Sequence, residues 1–292
     1  MQELRLTEKV TMTGKNLFGK TSQLSFSPLP PYVPKDLCTS WLWRPSARNP
    51  TFIPIDLRNV EYQRRRLRLQ NNARHLEIIE HIMPLRWIGI GPLVVEGCGW
   101  TPYYGRPYEY FETLESSLQE TGREVVWQMP QIPVYFKHKD ALCGYSEFIP
   151  QDPRLPPELR LKVTVRYPQV GQITVQRTFP SQHEFLMEDL RAYTQGLPHF
   201  LYYLSAFGHV SRLWKHHRHV EWYYGRKSSD RHKRATLHVF ASHRISDLLG
   251  ALALLSPTEL IGGTVTSFFG GHKSDLEFIN RMFHLNTPSA QG

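Results

Sequence analysis

Hydrophobic and polar residues alternate along several segments of the chain, and this pattern predicts β-strands. In the first half, residues 21–28 alternate and then meet a Pro-rich break. In the second half, residues 159–167 alternate most clearly, and residues 172–179 follow with a similar pattern. Each half of the chain is therefore expected to contain strands with one buried face.

Hydrophobic residues spaced three and four apart predict helices between these strands. The predicted helices cover residues 74–82, 107–119, 184–195, 239–255 and 274–284. The helix over residues 239–255 has the strongest pattern. The last helix opens with a capping box, in which Ser274 is the expected N-cap and Glu277 stands three positions later.

Strands and helices are mixed in both halves, so the pattern predicts the α+β fold class. A change in pattern near residues 120–130 marks the expected boundary between two domains. We therefore predict a first α+β domain over residues 1–125 and a second over residues 126–292.

The composition is that of a globular protein. The chain has 292 residues, of which 40% are hydrophobic and 21% charged, which argues against a disordered or fibrous protein. Its formal net charge is +9. An excess of positive charge favours anionic partners such as nucleic acid, phosphates or acidic lipid headgroups.

The cysteines and the chain termini favour a cytoplasmic location. Cys38, Cys98 and Cys143 lie far apart and form no CxxC pair, so we expect neither a disulfide framework nor a thiolate zinc site. The N-terminal segment lacks the apolar core of a signal peptide. The longest apolar stretch, residues 197–208, is too short to span a bilayer. We expect a soluble cytoplasmic monomer.

His243 and Asp247 stand four residues apart on the strongest predicted helix. This spacing places both side chains on one face, close enough to share a cation. Imidazole and carboxylate are suitable Zn²⁺ ligands, and a catalytic site needs one more ligand and an open position. The alternative is a helix-lining His–Asp pair, and His217 with Glu221 shows that chance can produce the same spacing.

Two further histidines stand in positions where they could complete such a site. His81 follows Glu80 in an apolar segment, so His81 could hold a metal while Glu80 takes a proton from water. His272 precedes a predicted helix start, where it could donate a proton or stabilise an oxyanion. Taken separately, a satisfied Glu–His pair and an exposed loop histidine are the simpler interpretations.

Histidine, lysine, arginine and aromatic residues are concentrated in residues 209–234. Such a segment can stack bases and bind phosphates. No recognised nucleic-acid module accompanies it, so a solvated basic loop is the favoured interpretation and nucleic-acid binding ranks last. The sequence also lacks a Gly-rich phosphate loop in a strand–loop–helix context.

Taken in order, five segments resemble motifs of the UDP-3-O-acyl-N-acetylglucosamine deacetylases, the zinc amidases of lipid A biosynthesis. Each motif is modest, but their order and spacing cover nearly the whole chain. The segments are residues 13–20 (an opening glycine-rich turn), 79–82 (V-E-H-L), 177–179 (R-T-F), 242–250 (H-K-x-x-D-x-x-G) and 271–272 (a late G-H).

The resemblance implies a fold and a set of roles. The fold would be two α/β-sandwich domains of similar topology with the metal between them. Zn²⁺ would be held by His81, His243 and Asp247. The catalytic residues would be Glu80 as general base, Thr178 at the oxyanion site, His272 as an electrostatic or acid group, and Arg244 in place of a family lysine.

The resemblance also implies a substrate, a UDP-linked acylated amino sugar, and contact with an anionic membrane surface. Phe179, Phe200 and Tyr202 would contact this substrate, the last two in an apolar passage for its acyl chain; these two side chains could equally be core. Ala251 and Phe18 stand where the family has aspartate and histidine. These departures favour a second hypothesis, a diverged relative that is weakly active or inactive, or that uses another N-acetylated substrate.

Overall fold

The computed structural model describes residues 1–16, 20–46, 48, 51–63, 66–77, 79–102, 107–139, 144–167, 171–192, 194–196, 220–222 and 230–286. In the first half the strands are β1 (Gln2–Leu6), β2 (Val10–Lys15), β3 (Thr21–Ser27), β4 (Leu42–Arg44), β5 (Ile53–Pro54), β6 (Val60–Gln63), β7 (Arg66–Asn71), β8 (Arg74–Glu77), β9 (Val94–Glu96) and β10 (Leu118–Glu124). In the second half they are β11 (Trp127–Gln128), β12 (Val134–Lys137), β13 (Tyr145–Ile149), β14 (Leu159–Tyr167), β15 (Gly171–Phe179), β16 (Thr194–Gly196), β17 (Val220–Trp222), β18 (Leu260–Ile261) and β19 (Gly263–Phe268).

Three of the four described α-helices lie in the second half of the chain, and the five described 3-10 helices lie in the first. The α-helices are α1 (Pro107–Leu114), α2 (His183–Arg191), α3 (Asp230–Leu252) and α4 (His272–Asn286). The 3-10 helices are Lys35–Leu37, Leu57–Asn59, Ile79–His81, Met83–Ile88 and Glu115–Ser117. None of the described helices combines the length and apolar character needed to cross a bilayer.

Two five-stranded sheets share one topology. The first has the strand order β2-β3-β9-β4-β5 and the second β12-β13-β19-β14-β15. In both sheets the first two pairings are antiparallel, the third is parallel and the fourth is antiparallel. The α+β class predicted from the sequence is confirmed. The division into domains at residue 125 stays a prediction.

The long helix α3 lies at the centre of the molecule. It packs against α2, α4, β14, β15 and the two 3-10 helices Ile79–His81 and Met83–Ile88. Nearly every residue from 240 to 255 is buried. The many apolar residues within 239–255 are typical of a buried helix.

The prediction of a helix over residues 74–82 is wrong. Residues 74–77 form β8, which pairs with β7 in an antiparallel hairpin, and Asn72 in its turn has a φ of 52°. Asparagine tolerates this left-handed conformation. The predicted helical spacing is explained by a strand residue and a 3-10 residue that reach the same core, since Leu76 and Ile79 are both buried.

Three other predicted helices have the right location but wrong ends. The helix predicted over residues 107–119 ends at Leu114, because residues 118–124 pair with β1. The helix predicted over residues 184–195 ends at Arg191, since residues 194–196 pair with β17. The predicted N-cap Ser274 lies inside α4, where its Oγ exchanges hydrogen bonds with Gly271, so the helix begins at His272.

Candidate metal centre

Two elements that are distant along the chain bring three potential ligands together. His81 ends the 3-10 helix that follows β8, while His243 and Asp247 stand one turn apart on α3. One ligand atom from each residue lies within 4.8 Å of the others, and all three residues are buried. The predicted convergence of these residues is confirmed. The group can hold a metal ion.

The distances from Asp247 to the two histidines are close to those of a tetrahedral site. Asp247 Oδ1 lies 3.4 Å from His81 Nε2 and 3.6 Å from His243 Nε2. Ligands bonded to tetrahedral zinc at about 2.0–2.1 Å lie about 3.3 Å apart. Asp247 Oδ1 is buried and accepts no hydrogen bond of regular geometry from the described residues. A cation between these atoms would satisfy it.

Gly250 allows the two elements to approach each other closely. This residue lies on α3 so close to Glu80 that an added Cβ would be 2.8 Å from the Glu80 carbonyl carbon and nearer still to its oxygen. Two side chains of the next 3-10 helix also bind the end of α3. Trp87 Nε1 donates to the Leu249 carbonyl at 2.9 Å, and the buried Arg86 donates to three carbonyls, those of Ala253, Ser256 and Glu259.

Glu80 lies beside the ligands with its carboxylate almost fully buried, at 1% exposure. The main-chain N–H of Leu67 donates to both carboxylate oxygens, at 3.1 and 3.2 Å. Burial, followed by the negative charge of Asp247, raises the pKa of Glu80 well above its usual value. A carboxylate with a raised pKa can accept a proton at neutral pH and hold it.

His272 lies beside this group. Its Nε2 lies 3.7 Å from Asp247 Oδ2, its Nδ1 lies 3.9 Å from Glu80 Oε1, and its side chain is 22% exposed. It is the most accessible of the five side chains. The structure thus brings both Glu80 and His272 next to the three ligands.

The site is set to hold its histidines neutral and its aspartate ionised. Burial lowers the pKa of both His81 and His243. Burial alone would raise the pKa of Asp247, but the nearby histidines, His243 first, lower it overall. Neutral imidazole and ionised carboxylate are the protonation states that bind metals.

The other predicted site residues have contacts of their own. The guanidinium of Arg244 pairs with the buried carboxylate of Asp275. The main-chain N–H of Thr178 donates to Gln182 Oε1 at 2.9 Å, and no described hydrogen bond joins Thr178 to the ligands. Phe179 is 1% exposed in the core, with its ring 6.4 Å from that of Trp87, so its contact with a substrate stays a prediction.

Several predictions fall outside the described residues. These are the substrate contacts Phe200 and Tyr202, the residue Phe18, and the side chains of most of the basic stretch 209–234. Ala251 is described and is fully buried on α3. No carboxylate is therefore present at this position to support His272.

Sequence reasoning missed Asp275 and Arg86. Asp275 stands in the first turn of α4, where an acidic residue is usually explained by the helix dipole, and nothing in the sequence marks its burial. Arg86 is an isolated cation in an apolar segment. Its isolation could have indicated a buried arginine, because a lone arginine between buried residues needs hydrogen-bond acceptors.

Comparison with known proteins adds no family assignment. No protein-family model matches the chain, and no curated protein matches it.

Proposed function

We propose that this protein is a zinc-dependent amidohydrolase that removes the N-acetyl group of UDP-3-O-acyl-N-acetylglucosamine, a step of lipid A biosynthesis. The observation that carries this proposal is the meeting of His81, His243 and Asp247 beside Glu80 and His272. Two nitrogens and one oxygen form a ligand set found in catalytic zinc sites, which have three protein ligands and an open position. The choice of substrate comes from the motif resemblance.

Zn²⁺, when bound, would lower the pKa of water and polarise the amide carbonyl. Glu80 would take the proton from the attacking water, and its raised pKa supports a base that retains the proton. The same proton can then go to the departing amine. His272, kept neutral because burial lowers its pKa, carries an N–H that can donate to the developing oxyanion.

The charge of the protein supports a diphosphate-containing substrate. The net charge of +9 attracts UDP-linked sugars and favours contact with an anionic membrane surface. The isolated cysteines support a reducing, cytoplasmic location, and we propose a monomer. Thr178 at the oxyanion site and Phe179, Phe200 and Tyr202 at the substrate remain assignments by motif.

The test combines metal analysis with a deacetylation assay on UDP-3-O-acyl-N-acetylglucosamine. We expect stoichiometric zinc and release of acetate by the purified protein. Glu80→Gln should keep the metal and lose turnover by a factor on the order of 10² to 10⁴, the usual contribution of a general base. His243→Ala should lose both. Equal zinc in the protein and in His243→Ala would refute the ligand assignment.

A second candidate function is a metal-binding relative that turns over this substrate slowly or not at all, with a binding or regulatory role. The observation that favours it is the environment of His272. Ala251 offers no carboxylate, and His272 Nδ1 accepts or donates no hydrogen bond among the described residues. Retained zinc without acetate release from this substrate or from other N-acetylated sugars would favour the second candidate.

A further inference from the structure

A buried ion pair lies next to the candidate metal centre. Arg244, which follows the ligand His243 on α3, donates to Asp275 in the first turn of α4. The same guanidinium nitrogen lies 3.3 Å from Ser267 Oγ on β19. Asp275 is fully buried and Arg244 nearly so. Breaking a buried ion pair leaves an uncompensated charge, so this pair constrains how α4 sits on α3.

The loop before α4 closes over this guanidinium. A Cβ added at Gly270 would lie 2.6 Å from Arg244 Nη2 and 2.6 Å from Ser267 Oγ, so only glycine leaves room for the pair. The main-chain N–H of Asp275 donates to the Gly271 carbonyl at 2.9 Å. Asp275 is therefore bonded both to Arg244 and to the residue that immediately precedes His272.

His272 directly follows this loop. Its imidazole lies 3.7 Å from Asp247 Oδ2 and 3.9 Å from Glu80 Oε1, and its Nδ1 has no hydrogen-bond partner among the described residues. We infer that the Arg244–Asp275 pair is a positioning device that holds His272 beside Asp247 and Glu80. Arg244 then acts through His272 and does not contact the substrate.

The catalytic consequence of this inference rests on the proposed function, whereas its geometric part does not. The test therefore has a readout that needs no turnover. Asp275→Asn keeps the shape of the side chain and removes its charge. Carbethoxylation of the partly exposed His272 by diethyl pyrocarbonate, followed by peptide mass spectrometry, reports how firmly the imidazole is held.

We expect His272 to react with diethyl pyrocarbonate about 5-fold faster in Asp275→Asn, because the loop loses its buried ion pair. The zinc content should stay that of the parent. The matched control is Glu96→Gln. Glu96 pairs with Arg44 and Lys9 in the first sheet and makes no described contact with the metal centre, so this variant should leave the His272 rate unchanged. An equal His272 rate in the parent and Asp275→Asn would overturn the inference.

Kinetics separate the inference from the proposed function. If the parent deacetylates the substrate, Asp275→Asn should lower kcat by about 10-fold or more with KM within about twofold, because a misplaced group loses transition-state contacts. A change confined to KM would indicate that Arg244 binds substrate and would overturn the inference. If the parent shows no turnover, the proposed function fails. The rate of His272 modification still tests whether the Arg244–Asp275 pair positions His272. Arg244→Lys replaces Asp275→Asn should the latter not fold.

Discussion

Gly250→Ala is the most direct test of how this protein builds its site. In an ordinary helix interior the change is favourable by about 1 kcal/mol, because alanine is the better helix former. Here the added methyl group would lie 2.8 Å from the Glu80 carbonyl carbon and closer to its oxygen. Ordinary contacts are 3.4–4 Å, so the turn that carries Glu80 must move away by about 1 Å.

The expected cost exceeds the gain in helix propensity. Overpacking a buried contact costs about 1–3 kcal/mol, and the obstructing atoms belong to the main chain, which cannot rotate aside. We therefore expect a net loss of up to about 2 kcal/mol, and a fall in Tm of a few degrees. Metal binding should suffer more, since ligand distances tolerate only about 0.2 Å and His81 follows Glu80 directly.

The assay is thermal unfolding together with zinc affinity by chelator competition. Gly271→Ala is the control, because a Cβ there meets no atom within 4 Å, and it should keep parental zinc affinity. A rise in Tm for Gly250→Ala with parental zinc affinity would mean that ordinary helix propensity governs this position. The argument that Gly250 permits the close approach of α3 and Glu80 would then be refuted.

Three further predictions concern the same region. Arg86→Met should destabilise the protein by about 3 kcal/mol in urea titrations, since buried carbonyls at the end of α3 lose their donor; a loss below about 0.5 kcal/mol would contradict this role. Burial and Asp247 raise the pKa of Glu80 above 4.5, so its ionisation costs the folded metal-free protein stability as pH rises. Glu80→Gln should therefore gain in Tm over the parent as the pH rises above 4.5, and a difference in Tm that does not change with pH would contradict this. Chelator should lower the Tm of the zinc-loaded parent but not that of His243→Ala, and an equal fall would place the metal elsewhere.

Much of the strand pattern could be predicted from the sequence. The alternation over residues 159–167 reflects a strand with one face in the core, since Leu161 and Val163 are buried and pair within the second sheet. The start of α3 at Asp230 and the strand β10 were missed. The strand β10 depends on its pairing with β1, far away along the chain, which local periodicity does not contain.

Only part of the site could be predicted from the sequence, because local spacing does not report contacts between distant residues. His243 and Asp247 are local neighbours on a helix, so their spacing alone placed them together. His81 could be joined to them only through the order of several weak motifs. The Arg244–Asp275 pair joins two helices whose packing no short-range pattern specifies, so its existence became visible only in the folded structure.

The metal centre lies where the 3-10 helix of Glu80 and His81 packs closely against α3. Gly250 has no side chain to separate them. Trp87 bonds to an α3 carbonyl, and Arg86 bonds to the carbonyl of Ala253 just after α3. These contacts are buried, so they exclude water from the ligands and strengthen the electrostatic interactions there. The same burial raises the pKa of Glu80. The packing that assembles the ligands therefore also gives the adjacent carboxylate the basicity that hydrolysis would need.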